Sequence, residues 1–594
     1  METRTESKHL TCVQGSSVDV ERARSSQRIG RVPVITDRFF LTKTGNVINK
    51  MRSRVSVVKW PLRNIYTGRQ ISTSAQSSQA SDGGLEISPK PVQPCPVQGT
   101  RARSTHAAID TSMFDVAPSV KSWEEVPGPR PLPLLGNTWR FTPYIGGYSV
   151  EHIDKVCLAL RAKFGNCVKM TGLLGRPDML FVFDASEVER VFRGEDAAPH
   201  RPSMPSLNYY KHTLRKDFFG AEENCAGVIA VHGDQWAAFR TKVSRVALSA
   251  GAAAQYTEPV AEVAEAFIQR IRSIRNEDSE TPADFLNEVH KWSLESLSLI
   301  ALDTRLNCFN ASEDSESMRL IHAVQTFFLS VGELELRAPW WRLYPTKMFR
   351  QYVAALDTIL SVTLRHVEKA LKEIEANGSS KSLLQDLVTA AGPRVAAVAA
   401  LDLFLVGIDT TSNAVASILY QLSLRPAVQE RMYEEITKVL QGRPLKPGDL
   451  NQMPYLKACV KEVMRMYPVV VGNGRQLTKD TVVCGYNIPK GTQVIFQHYV
   501  MGNSNDYFHN ASEFRPERWM TRSSSQKHHA FASLPFGYGK RMCLGRRFAE
   551  LEIHAVICKM VQAFKMEYHH EPMDYHIHPM YTPNGPIRLK LMDR

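Results

Sequence analysis

Cys543 has the most chemically distinctive neighbours of any cysteine in this 594-residue sequence. It lies in a glycine-rich segment, 536–545, and an apolar pattern of helical period follows over 551–564. A cysteine near a helix N-terminus and beside Arg541 is favoured as a thiolate, because backbone amides and positive charge stabilise the anion. A thiolate can ligate haem iron, to which it supplies electron density that promotes O–O cleavage.

Two other interpretations of this segment stay open at this point. The run 537–541 is rich in glycine and basic residues like a phosphate-binding loop, but its spacing and the lack of Ser or Thr after Lys540 do not fit that motif. A lone cysteine is otherwise commonly an inert, buried hydrophobe. The ten cysteines include no Cys-x-x-Cys pair, which argues against structural zinc, iron–sulfur runs and a disulfide scaffold.

A long apolar segment over 393–424 predicts a helix of roughly 45 Å at 1.5 Å per residue. Because Asp402 and Asp409 would be costly inside a bilayer, we expect a buried core helix rather than a membrane span. Gly407, Asp409 and Thr410 lie in the middle of this helix, where a glycine and adjacent polar residues are locally unfavourable. Such a departure from local preference is typical of a functional site.

Helical patterns dominate the sequence beyond residue 150, and apolar runs predict only a few short strands. These predicted strands lie near 168–170, 179–183, 482–497 and 587–591. The fold class expected is therefore mainly α with small β-sheets.

The segment around Cys543 is similar to the haem-binding pattern of the cytochrome P-450 family, Phe-x-x-Gly-x-Arg-x-Cys-x-Gly. The residues that meet its fixed positions are Phe536, Gly539, Arg541, Cys543 and Gly545. The resemblance implies a cytochrome P-450 fold that holds haem b between the long central helix and the loop and helix bearing Cys543. It also implies that Cys543 is the axial iron ligand and that O2 is the co-substrate.

Further landmarks of this family follow in the family's order, so that the resemblance covers 123–594. Glu462 and Arg465 form the Glu-x-x-Arg pair, whose spacing puts both charges on one helical face, and Arg518 completes the implied network. Trp236 and Arg240 resemble the family's propionate-binding helix, and Arg475 its later propionate arginine. The cofactor-binding residues implied are Trp236, Arg240, Arg475, Phe536, Arg541, Cys543 and Gly545.

On the oxygen side of the haem, the resemblance assigns the family's acid–alcohol pair to Asp409 and Thr410. These residues would position water and deliver protons to oxygen at the iron. A threonine hydroxyl bonded to a helix carbonyl is the structural alternative, and the two roles can coexist. Val406 stands where the family usually has alanine, a departure that affects the shape of the pocket more than its chemistry.

The net charge of +13 is concentrated at the front of the chain. Residues 1–75 hold 14 Lys and Arg against 5 Asp and Glu, which leaves a surplus of only 4 for the other 519 residues. A nucleic-acid partner for the body is therefore not expected. Residues 38–81 contain no acid and are rich in Arg and Ser, which is typical of a mitochondrial transit peptide.

Four segments are expected along the chain. The transit-like pattern begins at Met51, so we expect an N-terminal extension over 1–50 and a transit peptide over 51–81, with a disordered basic tail as the alternative. A disordered linker rich in Pro, Ser and Gly follows over 82–120. Residues 121–594 are expected to form the monooxygenase domain.

Lys457 and Lys461 lie four residues apart, which puts them on one helical face beside the Glu-x-x-Arg pair. A solvated lysine face is the ordinary reading of such a pair. The segment resembles the mitochondrial branch of the family, in which these lysines meet an acidic ferredoxin. The segments 209–219 and 531–541 are most similar to arthropod mitochondrial members. The partners implied are a mitochondrial, adrenodoxin-like ferredoxin and its NADPH-dependent reductase.

The segment 333–350 places Trp340, Trp341 and Tyr344 among Arg and Lys. This composition suits a membrane interface, and burial against the body is an equal alternative. We expect peripheral attachment to the matrix face of the mitochondrial inner membrane, with no nucleic-acid contact.

Two functions remain for such a chain. The first is a ferredoxin-fed monooxygenase that oxidises a small lipophilic substrate, either a steroid-like hormone or a foreign compound. The second is a haem-thiolate isomerase or a non-catalytic haem sensor, which would not need oxygen activation. Asp409 with Thr410, and the lysine pair, favour the first.

Overall fold

The computed structural model of the chain describes residues 120–594, apart from 203, 221, 223–224, 313, 378–381, 521–527 and 578–579. The predicted N-terminal extension (1–50), the predicted transit peptide (51–81) and nearly all of the predicted linker (82–120) lie outside the described residues. At the start of the described chain, the amide of Lys121 donates to the carbonyl of Gly485 at 3.0 Å.

Helices make up most of the described residues, as the sequence predicts. Their bounds are α1 Ile153–Phe164, α2 Ala185–Arg193, α3 Pro205–Tyr209, α4 Lys216–Phe219, α5 Gly233–Ala247, α6 Ala250–Ala254, α7 Thr257–Ile274, α8 Phe285–Leu302, α9 Glu316–Leu336, α10 Lys347–Asn377, α11 Leu383–Ala391, α12 Pro393–Ser423, α13 Pro426–Leu440, α14 Pro454–Met466, α15 His498–Gly502 and α16 Arg546–Ala563.

The predicted central helix is α12, which ends one residue before the predicted boundary. It is the only helix in the described residues that is long and apolar enough to span a membrane, and 78% of its apolar window is buried. Both acids within it have partners inside the protein: Asp402 pairs with Lys211 and Asp409 with His290, each at 3.0 Å. The prediction of a buried core helix is therefore confirmed.

Within the described part of the chain, the strands are short and form one larger sheet and three two-stranded ones. Their bounds are β1 Cys167–Met170, β2 Met179–Val182, β3 Asn473–Gln476, β4 Thr481–Val483, β5 Tyr486–Ile488, β6 Gln493–Phe496, β7 Phe564–Glu567, β8 Tyr575–Ile577, β9 Tyr581–Pro583 and β10 Lys590–Asp593. The larger sheet has the order β1-β2-β6-β3. In it, β2 and β6 are parallel and the other two pairs antiparallel.

The strand predicted over 482–497 is three strands, β4, β5 and β6. Cys484 and Gly485 have positive φ values of 52° and 79°, which form a two-residue turn that pairs β4 with β5. The last strand, predicted over 587–591, is β10 and begins three residues later.

Two of the helices that pack against α12 bring chemistry-bearing residues towards it. α8 approaches α12 closely at Gly407, where an added Cβ would lie 3.0 Å from Leu297 Cδ2. This close contact is a physical reason for a glycine in the helix interior. α16, the helix that follows Cys543, also packs against α12. It begins at Arg546, five residues before the apolar pattern that predicts it.

Candidate active site

The loop that carries Cys543 is a tight turn closed by a backbone hydrogen bond. The amide of Cys543 donates to the carbonyl of Phe536 at 2.9 Å. Gly537 and Gly539 have φ values of 69° and 70°, a conformation that residues with a Cβ rarely adopt. Gly545 is the residue that caps the start of α16. The loop therefore presents Cys543 just before the N-terminus of a long helix, as the sequence predicts.

The Cys543 side chain is exposed, yet it lies among protein groups that desolvate it. This desolvation raises the pKa of the thiol, against the opposing effects of the Gly545 amide, Arg240 and Arg201. Desolvation, which the sequence analysis did not consider, therefore opposes the thiolate that the amide and the positive charges favour. A bound cation removes this obstacle, since a thiol that coordinates a metal ion is deprotonated.

One face of α12 lies beside the Cys543 loop. A Cβ built on Gly545 would come within 3.8 Å of Leu403 Cδ2. Leu403, Val406, Gly407 and Thr410 are half-buried between buried neighbours, and their spacing places them on one side of the helix. The predicted alcohol, Thr410, thus shares a face with Leu403, which lies beside Gly545 of the Cys543 loop.

Trp236 and Arg240, on α5, also lie at this loop. The guanidinium of Arg541 stacks over the Trp236 ring, with 3.6 Å between Cζ and the ring centroid. Arg240 Nη2 donates to the carbonyl of Met542 at 2.8 Å. The structure therefore brings two of the predicted cofactor-binding residues, Trp236 and Arg240, into contact with the segment that carries Cys543, although Arg240 and Met542 are 302 positions apart in sequence.

Positive charge accumulates around these residues. Burial, followed by repulsion from Arg201, Arg475 and Arg240, lowers the pKa of Arg541 to about 9. Arg475, on β3, is buried and its Nε donates to Glu195 Oε1 at 2.5 Å. Burial raises the pKa of Glu195 although the guanidinium groups oppose this effect.

These residues fit haem. The clustered guanidinium groups suit the two propionates of the cofactor. Gly545 has no Cβ, so a planar ring can approach the backbone there closely, and Cys543 offers a sulfur ligand for iron. The sequence analysis missed Arg201, Glu195 and His232. His232 stacks on His200 with 4.1 Å between ring centroids, and burial lowers its pKa to about 4.

The predicted acid–alcohol pair occupies two different environments. The Thr410 hydroxyl donates to the carbonyl of Val406 at 2.7 Å, which is the structural alternative considered above. Asp409 is buried, and its Oδ1 lies 3.0 Å from His290 Nε2 on α8. The sequence analysis missed His290, because no motif marks a lone histidine 119 residues away.

The predicted network of Glu462, Arg465 and Arg518 is assembled. Arg465 donates to both carboxylate oxygens of Glu462, at 2.8 and 2.9 Å, and Arg518 Nε donates to Oε1 at 3.0 Å. Trp519 Nε1 adds a fourth bond at 2.9 Å. Burial opposes ionisation of Glu462, but the hydrogen bonds from Arg465 and the nearby guanidinium groups hold its pKa below the ordinary value.

Lys457 and Lys461 lie on α14, with Lys461 exposed and Lys457 half-buried. Lys457 Nζ donates to Asn451 Oδ1 at 2.7 Å. Burial, then repulsion from both lysines, lowers the pKa of His554 on α16 to about 3. The lysine pair is therefore close to the helix that follows Cys543.

Comparisons with known proteins agree with this arrangement. The sequence profile of the family described as Cytochrome P450 matches residues 126–591. Probable cytochrome P450 49a1 of Drosophila melanogaster is 45% identical over 526 residues, 85% of this chain and 88% of that protein. Probable cytochrome P450 301a1, mitochondrial, of the same fly is 43% identical, over 79% of this chain and 87% of that protein. Cytochrome P450 CYP12A2 of Musca domestica is 32% identical, over 80% and 93%. The chain belongs to the cytochrome P450 family of haem-thiolate monooxygenases, which bind haem through a cysteine thiolate, use O2 and include mitochondrial members.

Proposed function

We propose that this chain is a mitochondrial, ferredoxin-fed monooxygenase that oxidises a small lipophilic substrate. The observation that carries the proposal is the position of Thr410, next to Asp409, on the α12 face beside the Cys543 loop. An isomerase or a haem sensor has no need of a proton-handling pair at this place. Haem held by Cys543 would activate O2, with one oxygen atom entering the substrate and the other leaving as water.

The surrounding residues would divide the work of holding the cofactor and handling protons. Cys543 would be the iron ligand, with Phe536 and Gly545 shaping its loop. Guanidinium groups at the loop would neutralise the propionates. The residues proposed for that task are Arg240, Arg475 and Arg541, with Trp236 under Arg541 and the added Arg201. Thr410 Oγ1 holds a proton that it now donates to the Val406 carbonyl, and rotation about its side chain would turn that hydroxyl towards the cofactor.

Thr410→Ala is expected to uncouple electron use from product formation. The variant should keep its haem and the thiolate-type spectrum of the reduced CO complex. Because positioned proton transfer contributes about 10²–10⁴-fold to rates, we expect product formed per NADPH to fall roughly 10-fold, with hydrogen peroxide rising. Ser412→Ala is the matched control, since its hydroxyl also bonds a carbonyl of α12, that of Ile408 at 2.7 Å. Equal coupling in the two variants would contradict a proton-delivery role.

Electrons are proposed to come from an acidic mitochondrial ferredoxin that docks at Lys457 and Lys461. These lysines are near α16, whose start follows the proposed iron ligand. Arg546, at the start of α16, adds a positive charge that is partly neutralised by Glu550, with 3.0 Å between Nε and Oε1. Docking through opposite charges accelerates association and weakens with salt.

Reversing the charge of both lysines, Lys457→Glu with Lys461→Glu, should slow ferredoxin-driven turnover at least about 10-fold at low salt. The same reversal at Lys369 and Lys372, both exposed on α10, is the matched control and should leave the rate near that of the unaltered protein. Turnover is measured with reconstituted ferredoxin and reductase over a salt series. Ferredoxin-driven rates that stay intact after the α14 reversal would refute this docking site.

Peripheral attachment to the matrix face of the inner membrane is also proposed. In the predicted interface segment, Trp340 and Tyr344 are 52% and 57% exposed, whereas Trp341 is buried and stacks on Phe349. A second exposed apolar group, Leu134 and Tyr144, precedes α1. Exposed aromatic and aliphatic side chains of this kind favour a membrane interface.

The organisation of the front of the chain is proposed from the sequence. Residues 51–81 would be a transit peptide, preceded by an extension over 1–50 and followed by a linker over 82–120. The names of several relatives, such as probable cytochrome P450 301a1, mitochondrial, support a mitochondrial location.

The decisive experiment is product formation by the holoenzyme with O2, ferredoxin, reductase and NADPH across a panel of steroids and foreign compounds. Substrate-induced spin-state shifts select the compounds to test. Incorporation of one oxygen atom from labelled O2 into a product supports the proposal. Rearranged products that form without O2 would favour the isomerase, and haem binding without turnover of any panel compound would favour the sensor.

A further inference from the structure

His290, on α8, is a buried histidine in direct contact with the predicted proton-delivery acid. Its Nε2 lies 3.0 Å from Asp409 Oδ1, and its Nδ1 lies 2.7 Å from the backbone carbonyl of Leu286. The two side chains are 2% and 9% exposed. The imidazole is therefore held at both nitrogens, between its own helix and the acid of α12.

The contact at Leu286 limits the protonation states of the pair. A carbonyl only accepts hydrogen bonds, so Nδ1 must carry a hydrogen. The contact at Nε2 then holds one further proton, which belongs either to an imidazolium facing a carboxylate or to a carboxylic acid facing a neutral imidazole. Both states have a net charge of zero. His290 and Asp409 thus share one proton, and the net charge of the buried pair stays at zero.

The backbone that carries Asp409 is fixed by side chains from both helices. Ser293, one turn beyond His290 on α8, donates to the carbonyl of Ile408 at 3.1 Å. Asn413 Nδ2 donates to the carbonyl of Asp409 at 2.8 Å. Because the backbone is held and His290 engages Oδ1, the direction of the carboxylate is set by α8 rather than by α12 alone.

We propose that His290 is a positioning residue for oxygen activation, which orients Asp409 and lets it hold and release one proton. The inference rests on the proposed function, since it concerns delivery of protons to oxygen. Release of the proton converts the pair to neutral imidazole and carboxylate, with a net charge of minus one. A proton from solvent water restores the pair, and no electrons move within it.

The test compares His290→Gln with Ser298→Ala in the haem-loaded, full-length protein. Glutamine keeps an N–H donor for Asp409 but cannot take up a proton. Ser298→Ala removes a buried hydrogen bond of α8, to the carbonyl of Glu295 at 2.9 Å, without touching Asp409 or the backbone that carries it. The first readout is independent of turnover: the infrared stretching band of CO bound to the reduced protein, which senses nearby charge. We expect His290→Gln to shift this band and Ser298→Ala to leave it in place.

The second readout separates O2-driven from hydroperoxide-driven oxidation of a general haem-oxidation probe. An organic hydroperoxide brings its own O–O bond and proton, so it bypasses proton delivery. His290→Gln should lower O2-driven product per NADPH roughly 10-fold, which is the lower end of the loss seen when partners that orient metal ligands are removed. The hydroperoxide-driven rate should change by less than about twofold. An equal loss in both reactions would overturn the inference, because it would indicate damage to the haem pocket.

A third arm uses the acid itself. If His290 acts through Asp409, adding His290→Gln to Asp409→Asn should cause no further loss of O2-driven product, whereas independent roles would multiply. If His290→Gln alone folds poorly, the double variant still provides the test. It places two neutral amides side by side and therefore leaves no unpaired buried charge. A further loss in the double variant overturns the inference. Absence of O2-driven turnover in the unaltered protein, with its CO spectrum intact, would instead refute the proposed function on which it rests.

Discussion

Cys543→Ala is expected to abolish O2-driven turnover and the thiolate-type spectrum of the reduced CO complex. Alanine keeps the backbone hydrogen bond from residue 543 to the Phe536 carbonyl, so the loop can still form. What would be lost is the proposed sulfur ligand, which would provide the electron density for O–O cleavage. Product formation should be lost completely rather than reduced, because no other side chain in the loop can replace a thiolate.

The control for this prediction is Cys558→Ala, a cysteine on α16 with no exposed surface. Burial raises the pKa of its thiol to about 12, so it is an inert hydrophobe. Its removal should cost about 1 kcal/mol of stability through a small cavity and leave the spectrum unchanged. Absorption spectra of the reduced CO complexes check both variants, and a thiolate-type spectrum in Cys543→Ala would contradict the assignment of the ligand.

Local sequence patterns predicted the elements of the fold well, because those elements depend on neighbours in the chain. The apolar run over 393–424 predicted α12 to within one residue, and glycines at 537, 539 and 545 marked the turn before α16. The hairpin of β4 and β5 was missed because Cys484, which adopts a positive φ of 52°, is an unusual residue for such a turn.

Side-chain chemistry that arises only from folding could not be predicted in the same way. Glu195 pairs with Arg475 across 280 residues, and His290 pairs with Asp409 across 119. No spacing rule connects such positions. The raised pKa of the Cys543 thiol follows from desolvation, which depends on the packing of several helices and is invisible in the segment itself.

Glu462→Gln is expected to destabilise the protein by about 3–5 kcal/mol, the cost of leaving a buried ion pair without one partner. The side chains of Glu462 and Arg465 have no exposed surface, and that of Arg518 is 6% exposed. Glutamine offers one oxygen acceptor in place of two charged ones, so two buried guanidinium groups lose their counter-charge. We expect a lower midpoint of denaturant unfolding and reduced haem content after purification.

The dependence of this loss on pH has a definite sign. The pKa of Glu462 is held below its ordinary value in the folded protein, so its contribution to stability is fully present above the pKa of the unfolded chain, about 4.3. That contribution is lost as the pH falls through the lower, folded-state pKa. The difference in unfolding free energy between the unaltered protein and Glu462→Gln should therefore be constant near pH 7 and shrink below about pH 4.

Glu517→Gln provides the matched control, because Glu517 lies in the same stretch as Arg518 but pairs with Arg431 at the surface, where the two side chains are 41% and 49% exposed. Exposed ion pairs contribute about 0–1 kcal/mol, so this variant should unfold close to the unaltered protein. Denaturant titrations of both variants at neutral and acidic pH check the prediction. Equal losses of stability in the two variants would contradict the prediction. The buried Glu462 network would then contribute no more to stability than an exposed ion pair.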